Sequence, residues 1–305
     1  MSKDHYTLED LKGFCARHDS FVGIDSDGCV FDTMEVKQKA HFHPLIVKLW
    51  GLEKIEKQVR AAAEFVNLHS RWRGRNRFPD LLRAFELLYD WDEVRASGAR
   101  LPDLVTLRMY CDSGLPLGNP SLKAEVARTH DPELKRVLEW SLAVNADIDR
   151  HMRPVPPFPW TKPCLEKMHA QSDLIVVSQT PEEALIKEWR QHKIDHLVGL
   201  IAGQELGTKS EHIRFASEGR YAAGRVLMVG DAPGDLTAAR DNHAAFYPIL
   251  PGREDTSWKR LYDEAYDLFL MGRYAGAYAD RLIAEFNASL PDTPPWKPDS
   301  ASRGI

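Results

Sequence analysis

The chain has 305 residues, 43% hydrophobic and 28% charged, with a formal net charge of -5. That length supports a sizeable core and two domains. The acidic balance argues against a nucleic-acid or anionic-membrane protein, since both usually carry a basic face. No apolar run approaches the roughly 18 residues a membrane helix needs, and the opening MSKDHYTLEDLKGF has no apolar stretch of the kind a secretory signal requires. The four cysteines, Cys15, Cys29, Cys111 and Cys164, form no CxxC pair. They are read as free thiols of a reducing cytoplasm, neither a disulfide frame nor a zinc site.

In chain order, Phe21–Asp25 is a short apolar run that predicts a buried strand. From Met34 to about Pro154 the periodicity is helical. Ile55, Val59, Ala62 and Val66 mark one face, and Leu81, Leu82, Phe85, Leu88 and Tyr89 another. Asp131 and Pro132 read as an N-cap and first helical residue, with Leu134, Val137, Leu138 and Leu142 continuing that helix. RPVPPFPW, residues 153–160, carries four prolines and predicts a stiff connector or hinge. Beyond it, apolar runs at Leu174–Val177, Leu197–Ala202, Arg225–Val229 and Ala244–Ile249 alternate with helical segments. One of these opens with Thr180 as N-cap, Pro181 as first residue and Glu183 completing a capping box. Two others span Lys209–Glu218 and Pro233–Asp241. Continuous rather than alternating apolar strands point to a parallel sheet covered on both faces. The expected architecture is an α/β core, Rossmann-like, over residues 1–33 and 156–290. An all-helical domain over 34–155 is inserted after the first strand, and 291–305 forms a poorly ordered tail.

In an open parallel sheet ligands bind outside the carboxyl ends of the strands. Polar residues gather there: Asp25 and Asp27, Ser178, Lys209, and Asp231 with Asp235. Clustered carboxylates need a cation, and oxygen-only ligands suit a hard ion such as Mg²⁺. A carboxylate can attack phosphorus, a second can move a proton, and Ser178 and Lys209 can hold phosphoryl oxygens. Turn acids and solvated lysines are the bland alternative. The pairing of IDSDG with VGDAPGD after two separate strands makes that alternative the weaker one.

IDSDGCVFD, VVSQT, Lys209 and VGDAPGD, in that order, resemble the four motifs of the haloacid dehalogenase-like superfamily. The resemblance covers roughly residues 18–33 and 156–250. It implies Asp25 as nucleophile and Mg²⁺ ligand, and Asp27 as general acid/base that also binds the metal through its backbone carbonyl. It further implies Asp231 as a ligand and Asp235 as support for the metal shell. Ser178, with Gln179 beside it, and Lys209 would bind the phosphoryl group. Members that cleave carbon–halogen bonds or phosphonates lack an acid at the Asp27 position, so its presence favours phosphate esters. Cys29, where a Thr or Val is common, is expected to face the turn and change little.

The inserted helical domain would then be a cap. Its oddest stretch is SRWRGRNRFPD, residues 70–80, where Arg73 and Arg77 are candidate anion or sugar clamps. A solvated basic loop is the equal alternative. His41 and His43, two apart, point away from each other on a helix and are read as surface or interdomain polar residues rather than metal ligands. The expected function is a cytoplasmic, Mg²⁺-dependent phosphomonoester hydrolase acting on a small phosphorylated metabolite through an aspartyl phosphate, with no nucleic-acid or membrane partner. A sugar-phosphate phosphomutase and a non-catalytic phosphate- or metal-binding protein are the alternatives. The oligomeric state and the substrate's identity are not legible.

Overall fold

The computed structural model describes residues 3–297, in two compact units. The first holds the residues up to Met34 and Pro154–Ser289. The second holds Glu35–Arg153 and the residues from Leu290.

The first unit is built on a five-stranded sheet of β1 (Phe21–Ile24), β2 (Asp173–Val177), β3 (Leu200–Ala202), β4 (Val226–Gly230) and β5 (Ala245–Pro248). The order is β3-β2-β1-β4-β5, and every pair is parallel. All residues of β1, β2 and β3 are buried, which is why these strands read as unbroken apolar runs. β1 sits in the middle, with Ile24 opposite both Val176 and Val229. The chain runs outward through β2 and β3, then returns to the other side of β1 for β4 and β5. The carboxyl ends of β1, β2 and β4 therefore lie side by side where the strand order reverses.

Boundaries differ by one to three residues from the apolar runs. The largest shift is at β3, where Asp195–Leu197 forms a 3₁₀ turn before the strand. The helix Pro233–Asp241 matches its expected span, and Lys209–Ser217 begins where expected. The proline-rich stretch after Arg153 pairs back on the first strand's loop. Phe158 N–H donates to the Val30 carbonyl (3.0 Å), and Phe31 bridges Pro157.

Among the described residues of the second unit every regular element is a helix. Its core includes Val59, Val66, Phe85, Val137 and Trp140, with Trp140 edge-on to Phe42 and Trp50. Asp131 caps Pro132–His151 as expected, accepting from Glu133 and Leu134 N–H. On that helix Leu142 is half exposed, and the buried face runs instead through Trp140, Ser141 and Val144. Tyr89 is likewise exposed, unlike the rest of its expected face. His41 and His43 are both buried, which excludes the surface alternative for this pair. His41 Nδ1 meets Asp147 at 2.7 Å, and burial, aided by Arg60 and Lys39, pushes His43 down to about 3.

The expected loose tail is packed as far as Lys297. Trp296 stacks on Trp91 at 4.2 Å between centroids and meets Phe65 edge-on, while Lys297 pairs with Asp90 at 2.7 Å. Two aromatic contacts outweigh the disordering tendency of prolines and polar residues. Residues 298–305 lie outside the described residues.

Candidate active site

The loop after β1 is held in place before any side chain acts. Asp25 N–H continues the pairing with β4 by donating to the Val229 carbonyl (3.0 Å). The Ser26 carbonyl accepts from the N–H groups of Val30 and Phe31, and Gly28 N–H donates to the Phe31 carbonyl. Gly28 turns the chain at φ 81°, a region that side chains disfavour. Two fully buried tryptophans pin the loop from below. Trp189 donates to Ser26 Oγ (3.0 Å) and Trp258 to the Cys29 carbonyl (2.8 Å). Cys29 does not face the turn as expected. It is buried, its thiol 3.8 Å from the Val229 carbonyl, and burial together with the nearby Asp231 and Asp25 carboxylates pushes its pKa up. A protonated, enclosed thiol of this kind is unreactive.

Asp25, Asp231 and Asp235 converge at the strand ends, each offering an oxygen within 4.8 Å of the others. They are 4%, 0% and 0% exposed, so water does little to screen their mutual repulsion. Asp235 is the most firmly held. It occupies the third position of the helix Pro233–Asp241, and its Oδ2 accepts from the Asp231 and Ala232 N–H groups (3.1 and 3.0 Å). This is a carboxylate at a helix N-terminus, where the dipole favours negative charge. Gly230 lets it approach: a Cβ there would sit 2.4 Å from Asp235 Cγ.

Lys209 is the cation among these acids. It opens the helix Lys209–Ser217, whose capping box of Thr208 and Glu211 fixes the first turn. Its Nζ lies 2.9 Å from Asp25 Oδ2 and 2.7 Å from Asp235 Oδ1. Burial alone would push the Lys209 pKa down, but Asp235 and Asp25 together raise it, so the ammonium stays charged. Burial pushes Asp25 up, with Lys209 opposing and Asp235 and Asp231 adding to the rise. One ammonium does not offset three carboxylates. A hard divalent cation bound through oxygen would, and the donor set contains nothing but carboxylate oxygen, as Mg²⁺ prefers. Two lysines nearby in the chain, Lys187 and Lys193, take no part in these bonds. Lys187 lies within the helix Glu182–Gln191, and Lys193 follows it.

Asp27 stands apart from this cluster, and its surroundings were not legible in the chain. Thr33 Oγ1 donates to its Oδ1, and Thr180 Oγ1 donates to its Oδ2 at 2.7 Å. Thr180 was expected to cap the following helix. That helix begins at Glu182 with Pro181 at the cap position and no side-chain cap, because the Thr180 hydroxyl is engaged by the carboxylate. No local pattern links residue 180 to residue 27; only the parallel pairing of β1 with β2 brings them together.

Ser178 ends β2. It is buried, with its Oγ accepting from Thr180 N–H at 3.2 Å. Gln179 is exposed and its amide donates to the Gly207 carbonyl (2.9 Å), tying the loop after β2 to the one after β3.

Arg73 and Arg77 belong to the helical unit. Asn76 caps the helix Arg77–Tyr89, and Arg73 lies in the turn before it. Arg73 is buried and donates to the Leu68 carbonyl (3.0 Å). Arg77 donates to Ser141 Oγ (3.1 Å) and Asn145 Oδ1 (2.8 Å) and lies 5.0 Å from the centre of the Phe42 ring. Burial brings its pKa down to about 10.

No family model and no curated protein matches the chain. Among solved structures it is similar to a haloacid dehalogenase-like hydrolase from Xanthomonas campestris, at 10% identity over 85% of this chain and 96% of that one, TM-score 0.45. It is similar to a haloacid dehalogenase-like hydrolase from Streptococcus pneumoniae, at 14% identity over 79% and 90%, TM-score 0.39. It is also similar to a predicted phosphatase from Clostridium acetobutylicum, at 15% identity over 83% and 98%, TM-score 0.41. Likenesses at this level carry no argument about activity, which rests on the residues themselves.

Proposed function

We propose that this chain, in its motifs and sheet a haloacid dehalogenase-like protein, is a Mg²⁺-dependent phosphomonoester hydrolase acting on a small phosphorylated metabolite. One observation carries the reading. A buried carboxylate cluster bridged by a single lysine stands beside a separate carboxyl, Asp27, which two hydroxyls hold. Two acids two residues apart thus have different surroundings, which supports reading Asp25 as nucleophile and Asp27 as proton carrier.

Asp25 attacks phosphorus while the bond from phosphorus to the ester oxygen breaks, giving an aspartyl phosphate. Protonated Asp27 gives its proton to the departing alkoxide. Water then attacks the phosphorus of the aspartyl phosphate. Asp27, now a carboxylate, takes the water's proton, and the Asp25 carboxylate and inorganic phosphate are released. Lys209 and the hydroxyl of Ser178 stabilise the phosphoryl oxygens, whose charge shifts as the bonds exchange. Asp25, Asp231 and the Asp27 backbone carbonyl would hold Mg²⁺, with Asp235 orienting Asp231 and Lys209. The cation supplies charge neutralisation at the phosphoryl group. The helical unit would serve as the cap and set specificity. Arg73 and Arg77 are its substrate-side candidates, and for Arg77 the bonds described use one of the two terminal guanidinium nitrogens.

The test is a screen of purified protein with Mg²⁺ over sugar phosphates, nucleotides and small acid phosphates, with Asp25→Asn, Arg73→Ala and Arg77→Ala in parallel. Asp25→Asn should lower turnover on the order of 10⁴-fold or more, the scale on which removal of a covalent nucleophile acts. Loss on one substrate class alone would assign the arginines to its recognition. Wild-type protein that releases no phosphate from any ester, or Asp25→Asn equal to wild type, would sink the reading. Isomerised product without phosphate release would assign a mutase instead.

A further inference from the structure

We infer that Thr180 is a positioning residue for the proton-transfer step, joining the phosphate-binding serine to the acid/base carboxyl. Its three polar groups go to three different parts of the site. Its N–H donates to Ser178 Oγ (3.2 Å), its hydroxyl to Asp27 Oδ2 (2.7 Å), and its carbonyl accepts from Gln204 N–H (3.1 Å) in the turn after β3. The hydroxyl is not needed by the helix that follows, which has no side-chain cap. Its contact with Asp27 spans 153 positions of chain, and among the described residues the hydroxyl makes no other hydrogen bond.

A hydroxyl suits this place for a chemical reason. Asp27 must exist in two forms during one turnover, carboxyl and carboxylate. A hydroxyl can donate to the carboxylate and, after rotation about its C–O bond, accept from the carboxyl. Thr180 can therefore hold one orientation of Asp27 through both half-reactions, which a backbone N–H or an ammonium cannot do. Thr33 on the other oxygen limits rotation of the carboxyl plane from the opposite side. Thr180 also shares Ser178 with the phosphoryl group, so the distance between phosphate and proton carrier is set by one tight turn. A near-attack geometry depends on that kind of rigidity.

The inference rests on the phosphatase reading, and the experiment separates the two. Wild type, Thr180→Val and Thr180→Ser are compared on 4-nitrophenyl phosphate, whose leaving group departs without needing a proton, and on glycerol phosphate, whose alkoxide does need one. Thr180→Val should lose roughly ten times more kcat/KM on glycerol phosphate than on the aryl ester, because kcat/KM reports the step that expels the leaving group and not the hydrolysis of the shared aspartyl phosphate. That is part of the 10²- to 10⁴-fold that general acid catalysis supplies. Thr180→Ser should recover most of the kcat/KM lost on glycerol phosphate. An equal loss of kcat/KM on both esters would assign Thr180 to folding or phosphate binding and overturn the inference, as would no loss at all. Because the comparison is a ratio within one variant, partial misfolding lowers both rates alike and counts against it. If wild type hydrolyses neither ester, the phosphatase reading itself fails and this inference with it. If wild type is active and the ratio is unchanged, this inference alone fails.

Discussion

Replacing Lys209 with methionine removes the ammonium that bridges Asp25 and Asp235 while keeping the length of the side chain. Lys209 Nζ touches Asp25 at 2.9 Å and Asp235 at 2.7 Å, with 17% of its side chain exposed. At these distances each such pair is worth about 6 kcal/mol in gross Coulomb energy at the effective dielectric near a protein surface. The net loss is smaller, because the lysine's own desolvation is relieved and Asp25, already pushed up by burial, can take a proton. Removing one partner of a buried pair leaves uncompensated charge and costs about 3–5 kcal/mol. For a unit of this size that lowers its melting temperature by about 10 °C. Urea unfolding should be followed for the α/β unit in EDTA and again in millimolar Mg²⁺. In EDTA the variant should be less stable by the stated amount. In Mg²⁺ the gap should narrow, because a divalent cation takes over part of the lysine's role at the carboxylates. Equal stability in EDTA would refute the view that this lysine offsets the cluster's repulsion. A gap that Mg²⁺ leaves unchanged would refute the view that these carboxylates hold the metal.

Three further outcomes are expected. Gly230→Ala sets a methyl 2.4 Å from Asp235 Cγ, so it should weaken Mg²⁺ binding and activity together while far-UV circular dichroism stays native; unchanged Mg²⁺ affinity by calorimetry would contradict this. His43, held down to about 3 against an ordinary value near 6.5, stays neutral when folded but gains a proton when unfolded. The stability it contributes is full above about pH 6.5 and is lost as pH falls toward 3. Wild type should lose about 2 kcal/mol more than His43→Gln between pH 7 and pH 5, as read by urea unfolding of the helical unit. Trp296→Ala should destabilise that unit by about 1–2 kcal/mol through the lost stack on Trp91 and should change tryptophan fluorescence; identical unfolding curves would show the packed tail to be energetically idle.

Much of the core was readable because parallel strands buried on both faces leave continuous apolar runs, and the residue after each run falls at the ligand edge. Asp25, Ser178 and Asp231 were placed at strand ends that way, Asp235 four residues after Asp231, and Lys209 at a helix start. The errors share a cause. Thr180 has the sequence of a helix cap, and a local rule assigned it there; a carboxylate 153 positions away took the hydroxyl instead. The tail has the composition of a loose end, yet one tryptophan finds two aromatic partners. For His41 and His43 the spacing left a surface position open, and packing excludes it by turning both inward.

What the chain determined by itself is the chemistry on offer: the order of the strands' apolar runs, the acids that end them, and the long helical insertion between the first and second. These follow from nearest neighbours and short periods, which a linear reading captures. Tertiary structure decided which groups meet. It set the Lys209 ammonium between Asp25 and Asp235. It separated Asp27 from the carboxylate cluster and gave it two hydroxyl partners. It engaged Arg73 and Arg77 with groups of their own unit. The reason is range: strand pairing and helix packing bring together atoms far apart in the chain, and a buried charge takes the partner that geometry delivers.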